Sequence, residues 1–136
     1  MAMIGYLQGK LRTLLAAGAM AVLCSVATAA EQFIPVLDFW TGPLAPLGSG
    51  VGSGFIDYMD LLNKRDGGVN GVKLTWEECE TGYQVDRGVE CYERLKRKGA
   101  PAGPALMNPL HTGTSYALAE RAVTDKLPLI TIGYGR

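Results

Sequence analysis

Short apolar runs alternate with amphipathic stretches along the chain after residue 30. Apolar runs of four to six residues next to Gly, Pro or Asn predict strands, and apolar positions spaced three or four apart predict helices. The predicted strands are Val36–Trp40, Val72–Trp76, Ala105–Leu110 and Leu129–Ile132. The predicted helices are Phe55–Arg65, Gln84–Lys98 and Tyr116–Lys126. This β-α-β-α-β-α-β order predicts an α/β fold, a parallel sheet with flanking helices.

The ends of two predicted helices carry recognisable signals. Gly67 and Gly68 follow the first helix, and glycine there ends a helix in the left-handed conformation. Thr81 and Gln84 have the spacing of a capping box before the second helix. The stretch before the first helix, Thr41–Gly54, is rich in glycine and proline, and we expect it to form a loop.

The first thirty residues have the pattern of a secretory signal peptide. Lys10 and Arg12 precede an apolar run, Leu14–Val26, and the small residues Ala27–Ala30 follow it. The alternative is a membrane anchor, but a helix that spans a bilayer needs about 20 apolar residues and this run is shorter. We therefore expect residues 1–30 to be removed and residues 31–136 to fold outside the cytoplasm.

Charge and composition exclude several classes of protein. Thirteen Lys and Arg balance thirteen Asp and Glu, so the basic surface typical of nucleic-acid-binding proteins is not predicted. The chain has one His and three Cys, too few for a dedicated zinc site. After export, Cys79 and Cys91 remain as an even pair in an oxidising compartment. A structural disulfide is the favoured interpretation, and two free buried thiols are the alternative.

No cofactor or catalytic set is predicted. Gly48, Gly50, Gly52 and Gly54 recur at every second position, which is not the G-x-G-x-x-G spacing of a dinucleotide site. His111 is the only imidazole, and no acidic residue lies near it in the sequence. We expect it to be a pocket or surface residue and the protein not to be an enzyme.

Ligands of parallel α/β sheets bind beyond the carboxyl ends of the strands. Three predicted loops lie there: Thr41–Gly54, Leu110–Ser115 and Gly133–Gly135. Hydroxyl residues at the start of the third helix are suited to an anion such as a carboxylate. Plain capping of that helix explains the same hydroxyls equally well.

From Phe33 onward the chain resembles the N-terminal part of the leucine/isoleucine/valine-type solute-binding proteins of ABC importers, which have the type I periplasmic-binding fold. The resemblance rests on LDFWTGPLAPLGSGVGSGFIDYMDLLNKRDGGVNGVKLTW, residues 37–76, where the family has a strand, S/T-G-P-x-A-x-x-G, a helix and a G-G-I/V-x-G turn. The helix Gln84–Lys98 and the segment LPLIT before GYG follow in the family's order.

The resemblance implies particular ligand-binding residues. Thr112, after His111, lies where the family has a hydroxyl that holds the ligand carboxylate. The loop Gly133, Tyr134 and Gly135 lies where backbone groups take the ammonium and carboxylate, and Leu47 lies where an aromatic often lines the pocket. Gly135 lacks the hydroxyl often found there, so a related small carboxylate, including an aromatic one, competes with a branched-chain amino acid.

The resemblance also implies a setting. The family traps its ligand between two lobes and delivers it to permease subunits in the inner membrane. Residues 31–136 correspond to part of the first lobe, so we expect a truncated or fragmentary product that binds weakly alone. The predicted function is the periplasmic solute-binding component of an ABC importer, with no nucleic acid as partner. A ligand-sensing module of a signalling protein and a small secreted α/β enzyme are the alternatives.

Overall fold

The computed structural model of the protein describes residues 31–99 and 101–132. The predicted signal peptide, residues 1–30, and the predicted binding loop Gly133–Gly135 lie outside the described residues. Within the described part, no helix has the length and apolar character needed to cross a membrane.

A parallel sheet forms the centre of the fold. It contains β1 (Glu31–Asp38), β2 (Lys73–Glu80) and β3 (Asn108–Pro109), in the spatial order β2-β1-β3. β1 pairs with β2 along its whole length, from Glu31 beside Lys73 to Asp38 beside Glu80. The predicted α/β class with a parallel sheet is therefore confirmed.

β1 begins five residues earlier than predicted because Pro35 lies inside the strand and does not precede it. The carbonyls of Phe33 and Leu37 accept hydrogen bonds from Ala105 and Leu110, on the β3 side. Pro35 lies between them, so its missing N–H also falls on that side, where β3 pairs only with Val36 and Leu37. The proline therefore removes no bond from the long β1–β2 ladder.

The prediction of a loop over Thr41–Gly54 is wrong for its second half, which is helical. Helix α1 runs over Ala45–Asp66, with Pro46 in its first turn. Gly48 and Gly52 are buried one turn apart, and a Cβ at either position would overlap Phe39 or Asp38. Glycine here permits close packing of a helix on the end of β1, and this tertiary contact outweighs its low helix propensity.

Helices α2 (Val85–Leu95) and α3 (Thr112–Asp125) cover the other face of the sheet. The predicted capping box is wrong: α2 begins after Gln84 with no side-chain cap. The Thr81 hydroxyl instead donates to the carbonyl of Asp38 at 2.8 Å. This side of the sheet carries the larger core cluster: Phe33, Leu37, Cys79, Cys91, Tyr92, Leu95, Met107, Leu118 and Leu127.

The last two predicted strands are shorter than expected. The third is reduced to Asn108–Pro109, and the fourth to a single bridge between Met107 and Leu129. Met107 nevertheless bonds to the backbone on both sides of Leu129, donating to Pro128 and accepting from Ile130. The chain therefore follows the predicted parallel path without a full ladder.

A disulfide joins Cys79, near the end of β2, to Cys91 on α2, with the two Cα atoms 5.8 Å apart. Both cysteines are buried in the larger core cluster. The guanidinium of Arg94 lies 2.9 Å from the Cys79 sulfur and also pairs with Glu77. The bond fixes the middle of α2 to the end of β2 and encloses the loop between them.

Candidate functional site

Three connections lie together at the carboxyl edge of the sheet. Phe39–Leu44 follows β1, Thr81–Gln84 follows β2, and Leu110–His111 follows β3. Each connection leads directly into the first turn of a helix, so the amino ends of all three helices lie at this edge. None of these helices has a side-chain cap at its first residue. This edge is where parallel α/β sheets bind their ligands.

A cavity of about 340 Å³ opens between these connections. Its volume is within the range that holds small-molecule ligands. No charged side chain is among its described lining residues, which are mostly apolar. They are Phe39, Leu44, Leu47, Gly48, Val51, Tyr83, Leu110, Thr112 and Ile132.

Thr112, like Tyr83, supplies a hydroxyl to this mostly apolar lining. It is the first residue of α3, and its hydroxyl has no hydrogen-bond partner among the described residues. The first N–H groups of a helix have no partner within the helix and carry its partial positive charge. The cavity therefore combines an apolar wall with one polar corner that suits an anionic group.

His111 lies behind the cavity wall and is not one of its lining residues. Its ring stacks on Tyr83, with 3.9 Å between ring centroids, and its Nδ1 lies 3.1 Å from the Thr114 hydroxyl. Burial lowers the pKa of His111, so the imidazole is neutral at pH 7. Because it is neutral and held between these neighbours, His111 supports the wall and brings no charge to the cavity.

Asp38 is the buried carboxylate beneath the site. Burial raises its pKa, although the N–H of Phe39 donates to Oδ1 at 2.5 Å and opposes that rise. The nearby carboxylates Glu78 and Glu80 raise the pKa further. Asp38 packs against α1 at Gly52 and does not line the cavity, so its role is structural.

The structure brings some of the predicted site residues together. Leu47 and Thr112 come from different elements and line one cavity, whereas His111 contacts it only through Tyr83. Gly133, Tyr134 and Gly135 lie outside the described residues. That any of these residues binds a ligand stays a prediction.

Sequence reasoning missed Phe39 and Tyr83. Tyr83 was missed because β2 was predicted to end at Trp76. The loop that contains Tyr83 was therefore not expected at the carboxyl edge of the sheet. The true end of β2 is the acidic run Glu77–Glu80, with a disulfide cysteine inside it. The alternation of apolar and polar residues does not continue past Trp76, so the local sequence carries little signal for the longer strand.

No group of three or more His, Cys, Asp or Glu side chains is placed to hold a metal ion among residues 31–99 and 101–132. The described lining of the cavity likewise offers no carboxylate, imidazole or thiolate to a metal ion, since its only oxygen-bearing side chains carry hydroxyls. The arrangement can exclude water from an apolar ligand and hydrogen-bond one polar end of it.

Comparisons with known proteins identify the family and the fold. The profile of the family described as periplasmic binding protein matches residues 31–135. No curated protein matches the chain. A structure described as an ABC transporter permease from the Pseudomonas fluorescens group is 47% identical, with a TM-score of 0.73, over 79% of this chain and 26% of its own.

Two more distant structures share the fold. A fatty acid ABC transporter substrate-binding protein from Thermomonospora curvata is 23% identical, with a TM-score of 0.67, over 78% of this chain and 26% of its own. A possible leucine/isoleucine/valine-binding protein from Rhodopirellula baltica SH 1 is 18% identical, with a TM-score of 0.65, over 78% of this chain and 28% of its own. The chain therefore spans about a quarter of the length of these structures.

Proposed function

The chain belongs to the periplasmic binding protein family, and on that premise we propose that it forms one wall of the solute site of an ABC importer. The ligand is a branched-chain amino acid or a related small carboxylate. A second lobe of the same protein forms the opposite wall. The expected partners are this ligand and the permease subunits in the inner membrane, and the expected location is the periplasm.

One observation carries the proposal. Leu47 on α1 and Thr112 on α3 face the same cavity at the carboxyl edge of the sheet, and together they offer an apolar wall and a hydroxyl. A carboxylate beside Thr112 would accept hydrogen bonds from that hydroxyl and from the first turn of α3. The rest of the ligand would lie against the aliphatic side chains of α1.

The exposure of the rim supports a site that other residues complete. Leu47 is 66% exposed and Val51 41% exposed, although both line the cavity. Exposed apolar side chains grouped at the mouth of a cavity are typical of a ligand-binding or interaction surface. In the matched structures, about three quarters of the chain lies outside the aligned region. We propose that the corresponding part of the full-length protein covers this rim.

Isothermal titration of the full-length protein from its native source tests this function. Benzoate, octanoate and L-leucine serve as probes, and we expect saturable one-to-one binding of at least one. Leu47→Asp should abolish the heat by placing a charge in the apolar wall. Leu61→Asp is the matched control, since Leu61 lies on the same helix, is 46% exposed and does not line the cavity.

Two results would contradict the function. The first is that none of the three probes binds the wild-type protein. The second is that a probe binds Leu47→Asp and Leu61→Asp with equal affinity, which would place the bound probe elsewhere on the molecule.

A further inference from the structure

The loop between β2 and α2 has an unusual backbone. Gly82 and Tyr83 are both in the left-handed region, with φ of 57° and 58°. Glycine adopts this conformation freely, but it is strained for a residue with a bulky ring. Glycine or asparagine at position 83 would form the same turn with less strain, so what tyrosine adds is its ring and hydroxyl.

Several contacts hold this loop in place. The carboxylate of Glu80 accepts hydrogen bonds from the N–H of Trp40, at 2.8 Å, and from the N–H of Gly82. The Thr81 hydroxyl donates to the Asp38 carbonyl and accepts from the N–H of Tyr83 at 3.4 Å. The disulfide closes the segment that contains the loop. Strain that the surroundings hold in this way is found most often at functional sites.

The ring of Tyr83 completes an aromatic wall. Its centroid lies 4.9 Å from that of Phe39 in an edge-to-face arrangement, and 3.9 Å from that of His111. The side chain keeps 39% of its surface exposed and lines the cavity. Its hydroxyl has no hydrogen-bond partner among residues 31–99 and 101–132. The aliphatic residues Leu47 and Val51 of α1 also line the cavity.

We propose that Tyr83 determines the specificity of this cavity and selects carboxylates with an aromatic ring over those with a branched aliphatic side chain. The inference rests on the proposed function and names its ligand class. A ligand ring between Tyr83 and α1 gains an aromatic contact that an aliphatic side chain lacks, because aromatic pairs interact beyond the burial of area alone. The loop holds Tyr83 in place before the ligand arrives, which reduces the cost of ordering on binding.

Titration of the full-length protein with benzoate and with L-leucine tests the proposal. In the wild type we expect benzoate to bind more tightly than L-leucine. Tyr83→Leu should lower the affinity for benzoate by about tenfold, which corresponds to the interaction energy of one aromatic pair. It should change the affinity for L-leucine by less than about threefold. Tyr83→Phe keeps the ring and should stay within about threefold of the wild type for benzoate.

Two further variants separate binding from folding. Tyr83→Asn tolerates the left-handed conformation, so it should keep the fold and still lose affinity for benzoate. Tyr58→Leu is the matched control, because Tyr58 is an exposed tyrosine of α1 outside the cavity and should leave both affinities unchanged.

Equal weakening of both probes in Tyr83→Leu would overturn the selective role and leave Tyr83 as part of the scaffold. Unchanged binding of benzoate in that variant would also overturn it, and so would tighter binding of L-leucine by the wild type. In each of these cases the proposed function stands, since a probe still binds. Binding of neither probe by the wild type would overturn this inference; the function itself fails only if octanoate does not bind either.

Discussion

The glycines of α1 differ sharply in what surrounds them. Gly52 is buried against the Asp38 carboxylate, whereas nothing lies within 4 Å of a Cβ built at Gly50. Gly52→Ala should lower the free energy of unfolding by about 1–3 kcal/mol, the usual cost of overpacking. Gly50→Ala should raise it by about 0.5–1 kcal/mol, because glycine is unfavourable inside a helix. Urea unfolding of both variants checks the pair, and equal effects would contradict the packing of α1.

Asp38 makes stability depend on pH. Its pKa in the folded protein lies above the ordinary value of 3.8, so the folded state binds the proton more tightly than the unfolded state. This stabilisation is complete below the ordinary pKa and is lost as the pH rises through the folded pKa. Asp38→Asn has no carboxyl group to ionise, so its stability should not fall over this pH range. The variant should therefore be more stable than the wild type at pH 7.

Urea unfolding of wild type and Asp38→Asn between pH 3 and pH 8 measures this effect. Asn keeps the size of the side chain and an oxygen for the Phe39 N–H. A variant that is less stable than the wild type at pH 7 would mean that the charged carboxylate stabilises the fold.

Thr112 carries the polar end of the proposed site. Thr112→Ala should weaken carboxylate binding by about 1–3 kcal/mol, because the ligand oxygen would lose a partner inside the closed site. Thr124→Ala is the control on the same helix, where the hydroxyl only donates to the Glu120 carbonyl at 3.0 Å. If calorimetry gave the two variants equal affinities for the carboxylate, Thr112 would not be part of the binding site.

Among the elements, α2 is the one held by a covalent bond. The disulfide spans a sequence separation of 12 residues, and a loop of that size contributes about 3 kcal/mol in the chain-entropy account. Replacing both Cys79 and Cys91 by Ser should lower the free energy of unfolding by that order. Reducing agent should destabilise the wild type and leave the double variant unchanged, and equal sensitivity of the two proteins would contradict the bond.

Helices and strands differed in how well the sequence predicted them. The cores of all three helices and the parallel order of the strands followed from apolar spacing alone. The first turns of α1 and α3 did not, because Gly48, Gly52 and the Thr112–Ser115 segment have poor helix propensity and are helical through tertiary contacts. The fourth strand was predicted from its apolar residues, but the ladder reaches only Leu129.

At the scale of the whole molecule, the position of the site was more predictable than its lining. The rule that ligands bind at the carboxyl edge of a parallel sheet located the cavity, and the family resemblance indicated Leu47 and Thr112. Phe39 and Tyr83 depend on how three separate connections meet, which no local pattern encodes. Tyr83 also needs the left-handed backbone that Glu80 and Thr81 hold in place.

The central claim is that an apolar carboxylate binds in the cavity between α1 and α3. The most direct test is to titrate the isotope-labelled full-length protein with benzoate and follow its backbone amide signals by NMR. We predict saturable shifts for Gly48, Tyr83 and Thr112, with little change at the separate surface depression around Val123 and Leu129. Shifts confined to that depression, or no shifts with saturating benzoate, octanoate or L-leucine, would contradict this claim.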